Sequence, residues 1–546
     1  MKFPGLLKRL FTFGSKDKQF SLGDRSWERP PYKEDQPHEE LSKDLAKNRA
    51  RLEEVFSLPQ NMDVIIREFH IPVLNKEALI IYIDGLTDRD TQNFAILQPL
   101  MILDSGEPPH KDPIELAYNK LVPEHQIDKG KTLADVLNGV LDGSTVLLID
   151  GSAGSLIIET KGWEHRAVDR PSNEHVVRGP QEGFTETFRA NTASVRRYIK
   201  DPGLITEILR LSKRGRTIAG LMYIKDIANP KLVAEVRYRL QTISQRVDFI
   251  PETGTLEEFI EDHPRSFIPQ MLSTERPDRL AAYLREGNVG IIMQNSPYSL
   301  VIPTTFTIFL HAAEDYYLRW PFGNFLRLLR VAAIIIALLL PAIYIAIVNY
   351  HQEMIPTDLL LAITSSRETV PFPAIVELLF MEFAFELIRE AGVRIPSVIG
   401  PTIGIVGALI LGQAAVAASI VSPILIIIIA ITAISSFVIP NYNASFTVRL
   451  LRFGFTFLAA FLGFFGIAFG IFLMILHAAT LTSFGVPFLT PIAPYKPKNK
   501  DVILRPASFN QPYRPVYLRP LDLIRQKKIA RPWDQPRDDS GEQGDD

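Results

Sequence analysis

The side chains able to do chemistry in this 546-residue chain fall into two groups. In the charged N-terminal part, Asp84 and Asp150 each close an apolar run, where enzymes often set carboxylates. Each is followed by glycine, so a turn or helix cap is the expected role. His165 and His175 flank a charged segment without metal-ligand spacing. Cysteine is absent, which removes thiol nucleophiles, disulfides and thiolate metal sites together. No phosphate-binding glycine loop, strand-borne GxGxxG, HExxH or nucleophile elbow occurs. The sequence therefore reads as a non-enzyme without a cofactor, and a net charge of −2 argues against nucleic-acid binding.

The second group sits in apolar surroundings. Phe372 to Ala391 carries Glu377, Glu382, Glu386 and Glu390, the last three at a spacing of four that shares one helical face. Inserted in a bilayer, such carboxylates must face water or protein. The alternative is an amphipathic helix lying along the interface. From Ile395 to Tyr495 the only formally charged residues are Arg449 and Arg452, a depletion that a bilayer explains and a soluble core does not. Gly400 to Ala418 is rich in small residues, which suit either close helix packing or the wall of a pore. The pore candidates are Gly404, Val406, Gly407, Gly412 and Gln413, the last being the one strongly polar side chain of that stretch.

Those groups need elements to hold them. Val331 to Tyr350 is uncharged and as a helix would cover about 30 Å, with Pro341 placed to kink it. Ile399 to Ser419, Pro423 to Ile439 and Phe453 to His477 are further spans. Tyr316, Tyr317 and Trp320, with Arg327 and Arg330, read as an interface that places the N-terminal half in the cytoplasm. Four spans return the tail to that side and five do not. The Lys and Arg of the tail favour four, while Arg449 and Arg452 pull the other way.

Before the membrane domain, short apolar strands alternate with charged helices, the pattern of an α/β or α+β fold. Ala78–Asp84 resembles Ala219–Lys225, and Ser144–Ile158 resembles Asn288–Ile302, predicting two related lobes. The second pair reads as hairpins turning at Asp150-Gly151 and Gln294-Asn295. Thr274 to Asp278 reads as a helix start with a capping hydroxyl and a first-turn proline, and Gly287 as its stop. The expected organisation is a flexible lead-in and helix (1–60), lobe 1 (61–160), lobe 2 (161–310), a helical membrane domain (325–490) and a basic, proline-rich tail (491–546). At the N-terminus, Leu6, Leu7 and Phe11 among Lys2, Lys8 and Arg9 fit either contact with an anionic membrane surface or an unordered tail.

Long motifs then add a resemblance. Thr160-Lys-Gly-Trp-Glu164, Arg178-Gly-Pro-Gln-Glu-Gly-Phe184, Asn191, Arg196-Arg197, Thr274-Glu-Arg-Pro-Asp278, Asp315-Tyr-Tyr317 and Val370-Pro-Phe-Pro373 resemble the A subunits of GerA-type spore germination receptors. So do Arg389-Glu-Ala-Gly-Val-Arg394, Gly404-Ile-Val-Gly-Ala408, Gly412-Gln-Ala-Ala-Val416 and Ser483-Phe-Gly-Val-Pro487. Gln294-Asn295 and Tyr198 depart from the family pattern, where Asp-Gly and a third arginine are usual. The resemblance implies a protein of the inner spore membrane; with the spans and the charge pattern above, it would be multi-pass with its N-terminal half and tail on the cytoplasmic (core) side. It implies a homo-oligomer enclosing an ion channel in membrane lipid, with a transporter-like B subunit and a lipoprotein C subunit as partners. A non-conducting scaffold or an auxiliary germination protein stays open as the alternative.

Overall fold

The computed structural model describes residues 39–102, 112–124, 126–162, 171, 174–394, 410–496 and 501–526. The expected α/β N-terminal half of two lobes followed by a helical half is what the chain forms. Lobe 1 begins with helix α1 (Leu45–Val55), N-capped by the Asp44 carboxylate. Its sheet contains β1 (Val64–Ile71), β2 (Lys76–Ile83), β3 (Ile127–Gly130), β4 (Thr145–Ile149) and β5 (Ser155–Ile158), all antiparallel in the order β1-β2-β4-β5-β3. Helix α2 (Leu133–Leu141) follows β3 and starts with a reciprocal capping box between Thr132 and Asp135.

Lobe 2 opens with helix α3 (Phe188–Tyr198) and adds β6 (Leu204–Leu211), β7 (Thr217–Ile224), α4 (Pro230–Arg246), α5 (Thr253–Ile260), β8 (Leu272–Thr274), α6 (Pro277–Glu286), β9 (Val289–Met293) and β10 (Ser299–Ile302). Its strand order, β6-β7-β9-β10-β8, repeats that of lobe 1 strand for strand. The resembling segments fall on β2 and β7, and on the β4–β5 and β9–β10 hairpins. Gly151 and Asn295 take left-handed φ of 88° and 65° at corresponding turn positions. On β7, Ala219, Leu221 and Tyr223 pack with α4 and α5, while Met222 and Ile224 pack with α3 and α6. This period of two, with both faces covered, is why the strand reads as one apolar run. Pro277 and Gly287 bound α6 as expected, but its N-cap is Arg276. Thr274 belongs to β8 and gives its hydroxyl proton to Glu174 at 2.7 Å.

The helical half contains α7 (Trp320–Tyr350), α8 (Thr357–Arg367), α9 (Ala374–Arg394), α10 (Pro423–Phe437) and α11 (Tyr442–Thr480), followed by the small β11–β12 hairpin (Thr482–Ser483 and Val486–Pro487). Among the described residues, α7 and α11 are long and apolar enough to cross a bilayer. The sequence treats Phe453 to His477 as one span; instead α11 folds back on itself. Gly463 breaks the helix with φ 60° and ψ −140°, a region open essentially to glycine alone. A Cβ built on Gly470 would lie 2.7 Å from the Phe455 ring, so the two arms (442–462 and 464–480) pack antiparallel. Both outer ends return to one loop of lobe 2. Thr447 donates to the Phe267 carbonyl at 2.6 Å, and His477 lies 3.1 Å from the Ser266 hydroxyl. The bend itself meets the end of α7, where the Tyr350 hydroxyl donates to the Ala460 carbonyl at 2.6 Å.

Gly463→Ala is expected to cost about 1–3 kcal/mol, because its new methyl would meet His351 Nε2 at 3.1 Å on strained backbone. Gly454→Ala, with nothing within 4 Å, is expected to be neutral or stabilising by up to about 1 kcal/mol. Melting of the two variants in detergent separates the bend from an ordinary helical glycine.

Candidate functional site

One charged cluster of the helical half assembles from α9 and α11. Arg452 places Nε 3.0 Å from Glu382 Oε1 and Nη2 3.2 Å from Glu386 Oε1. Arg449 Nη1 lies 2.9 Å from Glu386 Oε2. Glu382 and Arg452 are 1% and 2% exposed. Arg389 closes the group, 3.6 Å from Glu386, donating at 2.7 Å to Ser436 Oγ and lying 4.6 Å from the Phe437 ring centre. At the other end of α9, Glu377 accepts from the Ser422 amide at 3.1 Å and pairs with Arg367 at 3.3 Å. Glu377, Glu382 and Glu386 thus turn toward protein and each has a cationic partner, whereas Glu390 is exposed. Both α11 arginines are paired with these α9 carboxylates.

Of the pore candidates, Gly404, Val406 and Gly407 lie outside the described residues. A helical stretch covers 410–417. Gly412 packs toward α10, where an added Cβ would lie 3.8 Å from Ile426, whereas Gln413 is exposed.

Two further clusters tie the halves of the molecule together. Between the lobes, Asp63 is 0% exposed and binds Arg189 Nη1 at 2.6 Å and Arg196 Nε at 3.0 Å. Arg196 also donates to Asn61 Oδ1 at 2.8 Å, and the Met62 amide to the Thr206 carbonyl at 3.0 Å. Asp84, read as a turn residue, joins this group through Arg189 at 3.0 Å. Asp150 accepts from the Leu45 amide at 3.3 Å, so it does serve a helix start, that of α1.

At the entrance to α7, the fully buried Asp315 holds Arg327 and Arg330 at 3.0 and 2.7 Å. Burial pushes the Asp315 pKa up, but the hydrogen bond and charge of Arg330, the charge of Arg327 and the Ala312 amide together outweigh it, and the group stays below the usual carboxylate range. Arg327 also reaches Asp501, and Tyr316 donates to the same carboxylate. The tail is therefore docked. Arg505 donates to the Leu318 carbonyl at 3.0 Å, Arg514 to Arg285 at 2.8 Å, and the Leu521 amide to Ile227 at 2.8 Å. Sequence reading placed Arg327 and Arg330 at the membrane interface. Their buried carboxylate partner is 12 and 15 residues away, and only the Asp315-Tyr-Tyr317 motif hinted at it.

His311 sits in this clamp with Nε2 2.6 Å from the Val502 carbonyl and 3.9 Å from Asp501. Burial pushes its pKa down from 6.5 to about 4, with Arg327 adding to the effect and Asp501 and Asp315 opposing it. A depressed imidazole contributes stability that is complete above pH 6.5 and is lost as pH falls toward about 4. The loss at stake is roughly 3 kcal/mol. Protection of the tail amides, measured as exchange relative to the intrinsic rate at each pH, should therefore fall between pH 6.5 and 4, and His311→Gln should flatten that dependence.

Residues 50–517 match the family described as Bacillus/Clostridium GerA spore germination protein. The chain belongs to the GerA family. It is 40% identical over 494 residues to spore germination protein KA of Bacillus subtilis (strain 168), covering 90% of each chain. It is 40% identical to spore germination protein GerLA of Bacillus cereus, covering 85% of this chain and 94% of that one. Spore germination protein B1 of Bacillus subtilis (strain 168) is 37% identical over 89% of this chain and 100% of its own. Among solved structures, the N-terminal domain of the A subunit of the Bacillus megaterium spore germinant receptor GerK3 matches 50% of this chain and 99% of that one, at 27% identity and a TM-score of 0.38. The GerA match begins within α1 and covers both lobes, the later helices and most of the docked tail, so the helical half is part of the family unit.

Proposed function

We propose that this chain is the A subunit of a nutrient-gated germination receptor, whose copies assemble in the inner spore membrane around an ion passage. The observation that carries this reading is Gln413, exposed on the 410–417 helical stretch together with Ala414 and Ala417, with Ala418 exposed just beyond its end and Ile410 exposed at its start. An amide facing hydrocarbon without a partner costs several kcal/mol, which water in a passage or a neighbouring copy offsets. Small residues beside it let identical helices approach closely.

The lobes, about 61–160 and 161–310, would form the oligomerising unit and 325–490 the membrane domain. Docking of the tail on lobe 2 supports placing both on the core side, with an even number of crossings. Folding of α11 into two arms keeps that parity without requiring a single long last span. A transporter-like B subunit and a lipoprotein C subunit complete the receptor, and nutrient binding opens the passage if the bound partner prefers the open ring. The Asp315 clamp gives such a preference a rigid route from lobe 2 into α7.

The test is conductance of the reconstituted receptor, all partners present, in a planar bilayer. Gln413→Trp and Gly407→Trp should abolish most of the current while leaving assembly intact. A consistently silent wild-type bilayer, or unaltered current in both variants, overturns the channel reading.

The second reading, a non-conducting scaffold or auxiliary germination protein, draws on the pairing of Glu382 and Glu386 with arginines of the same chain, which leaves those carboxylates structural. It predicts partner binding without permeation and tolerance of substitution from Gly400 to Ala418.

A further inference from the structure

Most cations of the docked tail have found acceptors: Arg514 holds Asp522 at 2.6 Å and Arg525 holds Glu286 at 3.0 Å. Arg519 and Lys496 have not. Both line a cavity of about 120 Å³ between the β11–β12 hairpin and the turn at Val516–Leu518, with Thr490 as its other polar side chain apart from Tyr517. Thr490 is 1% exposed and its hydroxyl makes no hydrogen bond. Arg519 Nη1 is buried and likewise without a partner. Among the described residues, no carboxylate lines the cavity.

Burying a hydroxyl and a guanidinium N–H without acceptors is costly, and the cost grows when a charge is involved. The Arg519 backbone is also held in an uncommon conformation. Its φ is 49°, and its carbonyl accepts from Asn229 Nδ2 at 3.2 Å. A guanidinium, an ammonium and a hydroxyl around one small space are the donors that recognise a tetrahedral oxyanion.

We propose that this cavity binds a phosphate-type oxyanion, which pins the segment after the last membrane helix to the tail. The same chemistry has two sources. One is a free phosphate. The other is a phospholipid headgroup, which the position of the cavity allows: the segment leaves α11 at Thr480, and Ile492 and Tyr495 beside it are 48% and 76% exposed, as residues of an interface are.

The experiment uses the full-length chain purified in phosphate-free maltoside detergent at fixed ionic strength, with thermal unfolding and hydrogen exchange of residues 505–526 as readouts. One arm titrates inorganic phosphate against chloride; the other adds phosphatidylglycerol against diacylglycerol, which lacks the phosphate. Saturable stabilisation in the first arm identifies a free oxyanion, and stabilisation in the second alone identifies the headgroup. In either case Arg519→Gln and Lys496→Gln should weaken the midpoint about tenfold or more. Exposed Lys120→Gln, on lobe 1, should not change it. No stabilisation in either arm, or an unchanged midpoint in both cavity variants, overturns the proposal.

Discussion

Asp63→Ala is expected to destabilise the N-terminal half by about 3–5 kcal/mol, the loss typical when one partner of a buried ion pair is removed. The reason is what stays behind. Arg196 is 2% exposed, and without Asp63 its guanidinium keeps only neutral acceptors, Asn61 Oδ1, the Leu204 carbonyl and Thr206 Oγ1. Arg189 is 30% exposed and can recover water or Asp84, so most of the penalty falls on Arg196. Arg196→Leu should be milder, because Asp63 retains Arg189. Thermal melting gives the magnitude. Hydrogen exchange gives the place: β1 and β6 should lose protection together, since the Met62–Thr206 bond joins their lobes. Equal losses in the two variants would contradict the assignment of Arg196 as the buried charge at risk.

Arg452→Leu is expected to cost a similar ~3–5 kcal/mol and to deplete folded protein from the membrane fraction. Glu382 would then be a carboxylate at 1% exposure with, among the described residues, no other cation within ion-pair reach and no hydrogen-bond donor on either oxygen. Glu386 would suffer less, keeping Arg449 at 2.9 Å and Arg389 at 3.6 Å. The second-site change Glu382→Leu removes the stranded charge and should restore most of the yield, because an apolar pair of similar volume often matches a buried ion pair. The yield of monodisperse protein after detergent extraction distinguishes the single from the double variant. A double variant no better than Arg452→Leu would mean that the arginine acts by shape or by contacts other than this carboxylate.

Both clusters join residues that the sequence holds far apart, and this bounds how much was legible beforehand. The lobes were legible because strand periodicity and the Gly151 and Asn295 turns are local properties, and because duplication wrote the pattern twice. The helical half was legible from its missing charge. The sequence reads Phe453 to His477 as a single span because glycine in an apolar run is compatible with helix, whereas the structure breaks the helix at Gly463. Its backbone breaks only where Tyr350 and His351 from another helix occupy the space at Gly463. Arg327 and Arg330 were read as interfacial because positive charge beside an apolar run is the commoner arrangement, and Asp315 is recognisable as their partner only once α7 is in place.

By itself the sequence determined the class of each half, the duplicated strand pattern and the residues that carry family identity, since these depend on composition and on neighbours a few positions away. The tertiary structure alone decided that the glutamates of α9 meet the arginines of α11, that Gln413 rather than Gly412 turns outward, and that the tail docks on lobe 2. Each of these is a pairing of surfaces distant along the chain, selected by the cost of burying a charge or amide without a partner, and local sequence carries no record of which distant group will supply it.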